Sequence, residues 1–150
     1  MKLTTTITDI TKEDLVNLFS TAIYGSNWLG LKIRKTDYYG TSLEDNTDCT
    51  EDKWAKVLLD GKSVFVYDYY AEDDDDFYGE LFHVYCESRG AMRYTITLSD
   101  IKKGIEKAIN SGGYDAECAF DLINNDSCDL DLTEAENLLQ IIIFGEAIYG

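Results

Sequence analysis

The spacing of three strand-like segments constrains the fold of this chain more than any other feature. Residues 63–70, 80–87 and 92–98 are rich in β-branched and aromatic side chains and follow one another closely. Ser88-Arg89-Gly90 separates the second segment from the third. A connection this short can close a hairpin, but it cannot form the crossover that joins parallel strands. We therefore expect an antiparallel sheet, with a meander as the simplest strand order.

The N-terminal third contributes a helix and a fourth strand. Thr11 and Asp14 have the spacing of a capping box, and apolar residues then recur with a helical period: Leu15, Leu18, Phe19, Ala22 and Ile23. This helix should end near Gly25. Residues 29–33 alternate apolar and polar side chains, which predicts a strand with one buried face. Residues 36–53 have the composition of a long polar loop, with Trp54 anchoring its end.

Helices are also predicted after the last strand segment. Ser99 can cap a helix that stops at Gly112 and whose apolar face has four members: Ile101, Ile105, Ala108 and Ile109. A shorter helix is predicted over residues 115–123. The final helix is predicted to start near Asp131 or Thr133 and to run through residues 135–150. It is apolar on most sides, so we expect it to be buried or packed against a partner.

Together these elements predict an α+β fold in which N- and C-terminal helices cover an antiparallel sheet of about four strands. Apolar residues make up 45% of the 150, enough for one core, so residues 1–150 should form a single domain. The four scattered cysteines are expected to be ordinary thiols. The first residues lack a signal-peptide pattern, and no stretch is apolar enough to span a bilayer, so we expect a cytoplasmic protein without a membrane partner.

Charge is distributed unevenly along the chain. Twenty-nine acidic residues stand against thirteen basic ones, which gives a formal net charge of −16. The excess lies in residues 37–80 and in residues 115–136, the second of which contains no basic residue. A surface so negative repels nucleic acid and anionic lipid and attracts basic partners. We therefore expect no direct nucleic-acid binding.

The strongest local feature is a run of acids framed by aromatic residues. We predict a partner-binding site there, in which carboxylates steer a basic surface and aromatic rings anchor it. Its residues are Glu72, Asp73, Asp74, Asp75, Asp76, Tyr69, Tyr70, Phe77 and Tyr78. The alternative is a solvated loop whose acids maintain solubility and discourage pairing of strand edges.

The second acidic block raises the hypothesis of DNA mimicry. If both blocks share one face, their carboxylates would imitate the phosphates of a duplex and occupy the nucleic-acid channel of a host protein. The block comprises Asp115, Glu117, Asp121, Asp126, Asp129, Asp131, Glu134 and Glu136.

A different kind of site is suggested by aromatic and basic residues near the first strand. Their rings could stack on a base while the basic groups hold phosphate, as in a sponge that sequesters a nucleotide immune signal. The residues of this alternative ligand site are Trp28, Arg34, Lys35, Tyr38, Tyr39 and Trp54. The competing interpretation places both tryptophans in the core.

Catalytic and metal-binding signatures give no positive indication. His83 is the only histidine, and His83 and Cys86, three residues apart in a strand, point to opposite faces. Asn125, Ser127, Asp129 and Glu136 have an EF-hand-like spacing, but Leu130 stands where that loop needs glycine. We expect neither an enzyme nor a cofactor or metal site.

Three stretches carry a resemblance. They are Ala22-Ile23-Tyr24-Gly25-Ser26-Asn27-Trp28, then Tyr94-Thr95-Ile96-Thr97-Leu98 with Lys103-Gly104-Ile105, and the ending Asn137-Leu138-Leu139-Gln140 with Phe144-Gly145-Glu146-Ala147-Ile148-Tyr149-Gly150. In these the chain resembles a group of hypothetical proteins encoded by phages and prophages of Firmicutes. The resemblance implies a phage protein in a bacterial cytoplasm, and the group brings no established activity.

Taken together, these features predict a non-enzymatic, phage-encoded acidic protein that inhibits a bacterial defence or nucleic-acid-binding protein. It would act as an anti-defence inhibitor, in the manner of a DNA mimic or an anti-CRISPR. The nucleotide sponge is the alternative. A third hypothesis is a structural or accessory protein that forms a homo-oligomer through its C-terminal helix.

Overall fold

The computed structural model describes residues 10–33, 50–123 and 130–149. Within them the chain forms five helices and four strands. In chain order these are α1 (Lys12–Gly25), β1 (Leu29–Lys32), α2 (Thr50–Leu59), β2 (Val64–Asp68), β3 (His83–Cys86), β4 (Ala91–Ile96), α3 (Leu98–Ser111), α4 (Gly113–Ile123) and α5 (Leu132–Phe144). The α+β class and the antiparallel sheet are confirmed.

The sheet is not a meander. Its strand order is β1-β2-β4-β3, and every neighbouring pair is antiparallel. The hairpin between β3 and β4 forms as the short connection predicts. The preceding connection, residues 69–82, instead carries the chain past β4 to the far edge. A connection of this length does not force its two strands to be neighbours, which is why the simplest order was wrong.

The helices cover one face of the sheet. Strand residues on that face share a continuous core with the buried side chains of all five helices: Leu29, Leu31, Val64, Val66, Met92, Tyr94 and Ile96. The opposite face holds a small cluster of Phe65, Tyr67 and Ala91. On that face the guanidinium of Arg93 lies 4.5 Å from the Phe65 ring centre, and that of Arg89 lies 5.0 Å from the Tyr67 ring centre.

Two sequence predictions about where helices start need correction. Residues 50–53, assigned to a polar loop, begin α2, and Trp54 packs edge-on against Phe19 of α1 rather than ending a loop. The cap of α3 is Thr97 rather than Ser99, because Thr97 and Asp100 form a complete capping box. The boxes at Thr11 for α1 and at Asp131 for α5 match their predicted starts.

The C-terminal helix occupies the centre of the helical layer. It packs against α1, α3 and α4, and its residues 138–144 are all buried within the same chain. Elements of the chain itself therefore cover this stretch, and the predicted homo-oligomer through the C-terminal helix stays a prediction. Contrary to the sequence prediction, the helix ends at Phe144, because Gly145 adopts the left-handed conformation and its amide caps Ile141. Residues 145–149 then leave the helix.

None of the helices in the described ranges is both long and apolar enough to cross a bilayer.

Candidate partner-binding site

The predicted partner-binding residues all lie in the connection between β2 and β3, which we call the acidic connection (residues 69–82). Glu72, Asp73, Asp74 and Asp75 are exposed, and Asp76 is half-buried. The structure therefore brings the acid run and its aromatic frame together on one surface segment.

Side chains of the acids themselves hold this segment in one conformation. Asp73 Oδ1 accepts from the Asp75 amide at 3.0 Å, and the Asp73 carbonyl accepts from the Asp76 amide at 3.2 Å. Asp76 Oδ2 accepts from the Glu72 amide at 3.1 Å. Such bonds between carboxylates and nearby amides are typical of aspartate-rich turns. The remaining carboxylates face solvent from an ordered turn.

The aromatic residues beside the acids are packed on one side and exposed on the other. Tyr70 stacks on Trp28 with ring centres 5.7 Å apart, and Phe77 stacks on His83 at 4.0 Å. Tyr78 packs edge-on against Phe144. Because each of these rings packs against another ring, little conformational freedom remains to be lost when its exposed side binds a partner.

The acidic connection is tied to the core at both ends. Towards its C-terminal end, the Tyr78 amide donates to the Tyr94 hydroxyl at 3.1 Å. Before it, Asp68 is fully buried and its Oδ1 accepts from the Tyr70 amide at 2.9 Å. The Tyr149 hydroxyl donates to Asp68 Oδ2 at 2.6 Å. The C-terminal segment thus closes over the start of the acidic connection.

The buried side-chain amide of Gln140 also holds that C-terminal segment. Gln140 Oε1 accepts from the amides of Ile148 and Tyr149 at 2.8 and 2.7 Å, and its Nε2 donates to the Tyr149 carbonyl at 3.2 Å. Buried amides need such partners, so Gln140 selects one path for residues 145–149.

Burial also changes the acidity of these groups. Desolvation raises the pKa of the Asp68 carboxyl above its ordinary value, although the bonds from Tyr149 and Tyr70 oppose the change. Burial likewise raises the pKa of Tyr94 to about 12 and raises that of Tyr149. Both phenols therefore remain hydrogen-bond donors at neutral pH.

The second acidic block behaves differently from the first. Its described members lie on α4 and at the start of α5, and the acidic connection passes the other end of α5 at Phe144, about 18 Å away along the helix axis. Glu134 is buried, and burial together with a hydrogen bond to Asp121 raises the pKa of Glu134 to about 7. Asp126 and Asp129 lie outside the described residues.

The alternative ligand site is only partly described. Trp28 and Trp54 are each 4% exposed, and their rings pack in the core against Tyr70 and Phe19 respectively. Their flat faces are not offered to a ligand. Arg34, Lys35, Tyr38 and Tyr39 lie outside the described residues.

Cation binding has one geometric candidate among the described residues. Carboxylate oxygens of Asp73, Asp74 and Asp75 lie within 4.8 Å of one another. Oxygen ligands of this kind suit Ca²⁺ or Mg²⁺, but exposed acids often approach this closely without an ion. The EF-hand-like residues Asn125, Ser127 and Asp129 lie outside the described residues.

His83 and Cys86 do not form a reactive pair. The His83 ring stacks on Phe77, and its Nδ1 lies 2.9 Å from the Leu81 carbonyl oxygen. Cys86 packs on the opposite sheet face, against the cluster of Phe65, Tyr67 and Ala91. This matches the alternation expected of a strand.

Sequence reasoning missed two groups of residues. Phe82, just before β3, and Val84, within β3, are exposed apolar side chains. Val84 lines a groove together with the acids of residues 72–74. The apolar side chains of this segment were visible in the sequence. Their exposure could not be predicted, because the expected meander did not place β3 at an edge of the sheet. The Asp68–Tyr149–Gln140 contacts were also missed, although a lone glutamine in the apolar run LLQIIIF already requires a buried partner.

No family model matches the chain, and neither a curated protein nor a solved structure matches it.

Proposed function

We propose that this protein is a non-catalytic binding protein that engages a basic partner protein through the acidic connection. One observation carries the proposal. The acidic connection combines exposed carboxylates with aromatic rings that pack on one side and are exposed on the other, and hydrogen bonds hold its turn. Carboxylates at the rim accelerate association with a positive surface, and rigid aromatic residues supply the apolar contacts at the centre of an interface.

We further propose that the partner is a bacterial defence or nucleic-acid-binding protein, and that binding inhibits it. The support is chemical: a net charge of −16 suits a surface that ordinarily binds nucleic acid. The resemblance to phage proteins remains a prediction and gives the biological setting, an anti-defence or anti-CRISPR-like role.

Mimicry of a whole DNA duplex is the stronger form of this proposal and has less support. It requires an extended array of ionised carboxylates on both acidic blocks. Glu134 is buried with a raised pKa, and Asp115 accepts a hydrogen bond from Asn137 at 2.9 Å. The acidic connection alone is therefore the proposed contact surface.

The test compares two variants of equal charge in affinity capture from a defence-bearing bacterial lysate. The loop variant carries Glu72→Gln, Asp74→Asn and Asp75→Asn, which remove charge from side chains that do not hold the turn. The control carries Glu13→Gln, Asp60→Asn and Glu117→Gln in the helical layer. We expect wild type and control to retain a basic nucleic-acid-binding protein that the loop variant does not retain and that high salt releases.

The captured protein, once purified, should lose DNA binding or nuclease activity when wild-type protein is added. Capture that is equal for all three proteins would refute the role of the acidic connection. A nucleotide released on denaturation, with no protein partner, would favour the sponge instead.

A further inference from the structure

We propose that the outer edge of β3 is a strand-addition site that takes an extended, lysine- or arginine-rich segment of the partner. This inference rests on the proposed function and deepens it, because it specifies the conformation and chemistry of the bound segment. It adds β3 and its neighbouring groove to the acidic connection.

The first argument is the backbone of β3. Within the described residues β3 pairs with β4 alone, so no strand bonds its other edge. The Phe82 carbonyl accepts from the Thr95 amide at 2.9 Å, so the backbone N–H and C=O groups of Phe82 point towards β4. Because these directions alternate along an antiparallel strand, the backbone groups of Val84 point towards β4 as well. The N–H and C=O groups of His83 and Tyr85 consequently point outwards, where an added strand would bond them.

The second argument is the surface along that edge. A groove of about 590 Å³ follows it, lined by Glu72, Asp73, Asp74, Val84, Tyr85 and Glu87. Phe82 is 69% exposed and Val84 is 39% exposed, and the two lie on the same sheet face. A neighbouring strand would cover both, because directly opposite side chains in a sheet are in contact.

The third argument is charge, and it selects the occupant. Four of the six groove residues are acidic. The guanidinium groups of Arg89 and Arg93, on the same sheet face, lie over rings of β2, and neither residue lines the groove. A second copy of the chain also carries a net charge of −16, so electrostatic repulsion opposes pairing of two copies at this edge. The same acids attract a strand that carries positive charge.

The probe is a fluorescein-labelled synthetic peptide that alternates lysine with valine or threonine, titrated into the full chain at low salt. Glu72→Gln, Asp74→Asn and Glu87→Gln together should weaken its binding about tenfold or more, since all three line the groove. Glu13→Gln, Asp60→Asn and Glu117→Gln remove the same charge elsewhere and should change binding less than about twofold.

Backbone pairing is tested separately, by hydrogen exchange and by N-methylation of the peptide. Bound peptide should slow exchange of the His83 and Tyr85 amides relative to the free protein, with little change at Val84. Peptide N-methylated at the alternate residues that face β3 should lose binding, whereas methylation at the other residues should leave it intact.

The outcomes separate the two proposals. Peptide binding could depend on the groove acids and yet give no protection of the His83 and Tyr85 amides and no difference between the two N-methylated peptides. That result would overturn strand addition and leave the proposed function standing. Amide protection by the peptide, with lysate capture indifferent to the acidic connection, would support the strand site and refute the proposed function. Amide protection that increases with protein concentration in the absence of peptide would show self-pairing and overturn the inference.

Discussion

At the scale of single residues, Asp68 shows how a buried charge controls the path of the chain. Its carboxylate lies on the core side of β2, among apolar neighbours, and is satisfied by the Tyr149 hydroxyl and the Tyr70 amide. A buried acid without such donors would strongly destabilise the fold. Asp68 thereby links the C-terminal segment to the start of the acidic connection.

Tyr149→Phe should lower the free energy of unfolding by about 1.5–3 kcal/mol, because it removes a donor from a buried carboxylate. Urea titration followed by circular dichroism measures the change. Tyr24→Phe is the matched control, since the Tyr24 hydroxyl also donates to a carboxylate, that of Glu51, but in an exposed position. Its effect should stay within about 0.5 kcal/mol. Equal effects for the two variants would contradict the role assigned to Asp68.

At the scale of elements, close approach of α3 and α5 determines how the helical layer is built. A Cβ added at Gly104 would lie 2.5 Å from Ile142 Cγ1 and 2.7 Å from Ile142 Cα. Contact with the backbone of α5 cannot be relieved by a rotamer change. Gly104 is therefore a packing requirement of α3.

Gly104→Ala should destabilise the protein by about 1–3 kcal/mol, although alanine is the better helix former by about 1 kcal/mol. The steric clash of the added Cβ opposes the higher helix propensity of alanine. The clash dominates because it involves main-chain atoms of α5, which cannot move aside. Thermal unfolding gives the sign directly. Ser99→Ala, at an exposed position near the start of the same helix, is the control and should be close to neutral. Stabilisation by Gly104→Ala would show that the helices can separate without cost.

At the scale of the whole molecule, buried acids with raised pKa values make the stability of the fold depend on pH. The folded protein holds the Glu134 proton up to about pH 7, whereas an unfolded glutamate with its ordinary pKa near 4.5 has released it. The folded state therefore binds more protons between these values, and the stabilisation present at the acidic end is lost as pH rises. Asp68, whose pKa is also raised, acts in the same direction.

We expect the free energy of unfolding to decrease between about pH 4.5 and pH 7, and we expect Glu134 to contribute to that decrease. Glu134→Gln keeps an acceptor for the capping box of α5 and should make the free energy of unfolding depend less on pH. Measurements in high salt reduce the general repulsion expected from a net charge of −16. Glu117→Gln, which removes one carboxylate at an exposed position, is the control. An unaltered slope in Glu134→Gln would refute this assignment.

Local patterns were enough to predict most elements. Thr11 with Asp14, and the period-two alternation from Leu29, predicted α1 and β1 because caps and alternation depend on nearby residues alone. The acidic connection could be predicted as a candidate site for the same reason: its acids and aromatics are adjacent in sequence. Residues 50–53 were misassigned because their polar character masked the first turn of α2.

The sequence by itself determined the α+β class, the antiparallel pairing and the segregation of charge, since each follows from composition and short-range spacing. Only the tertiary structure decided that β4 lies between β2 and β3, because a connection as long as 69–82 permits more than one strand order. That placement makes β3 an edge of the sheet, and Val84 lines the same groove as Glu72. The burial of Trp28 and the pairing of Asp68 with Tyr149 were likewise decided there, because they join residues far apart along the chain.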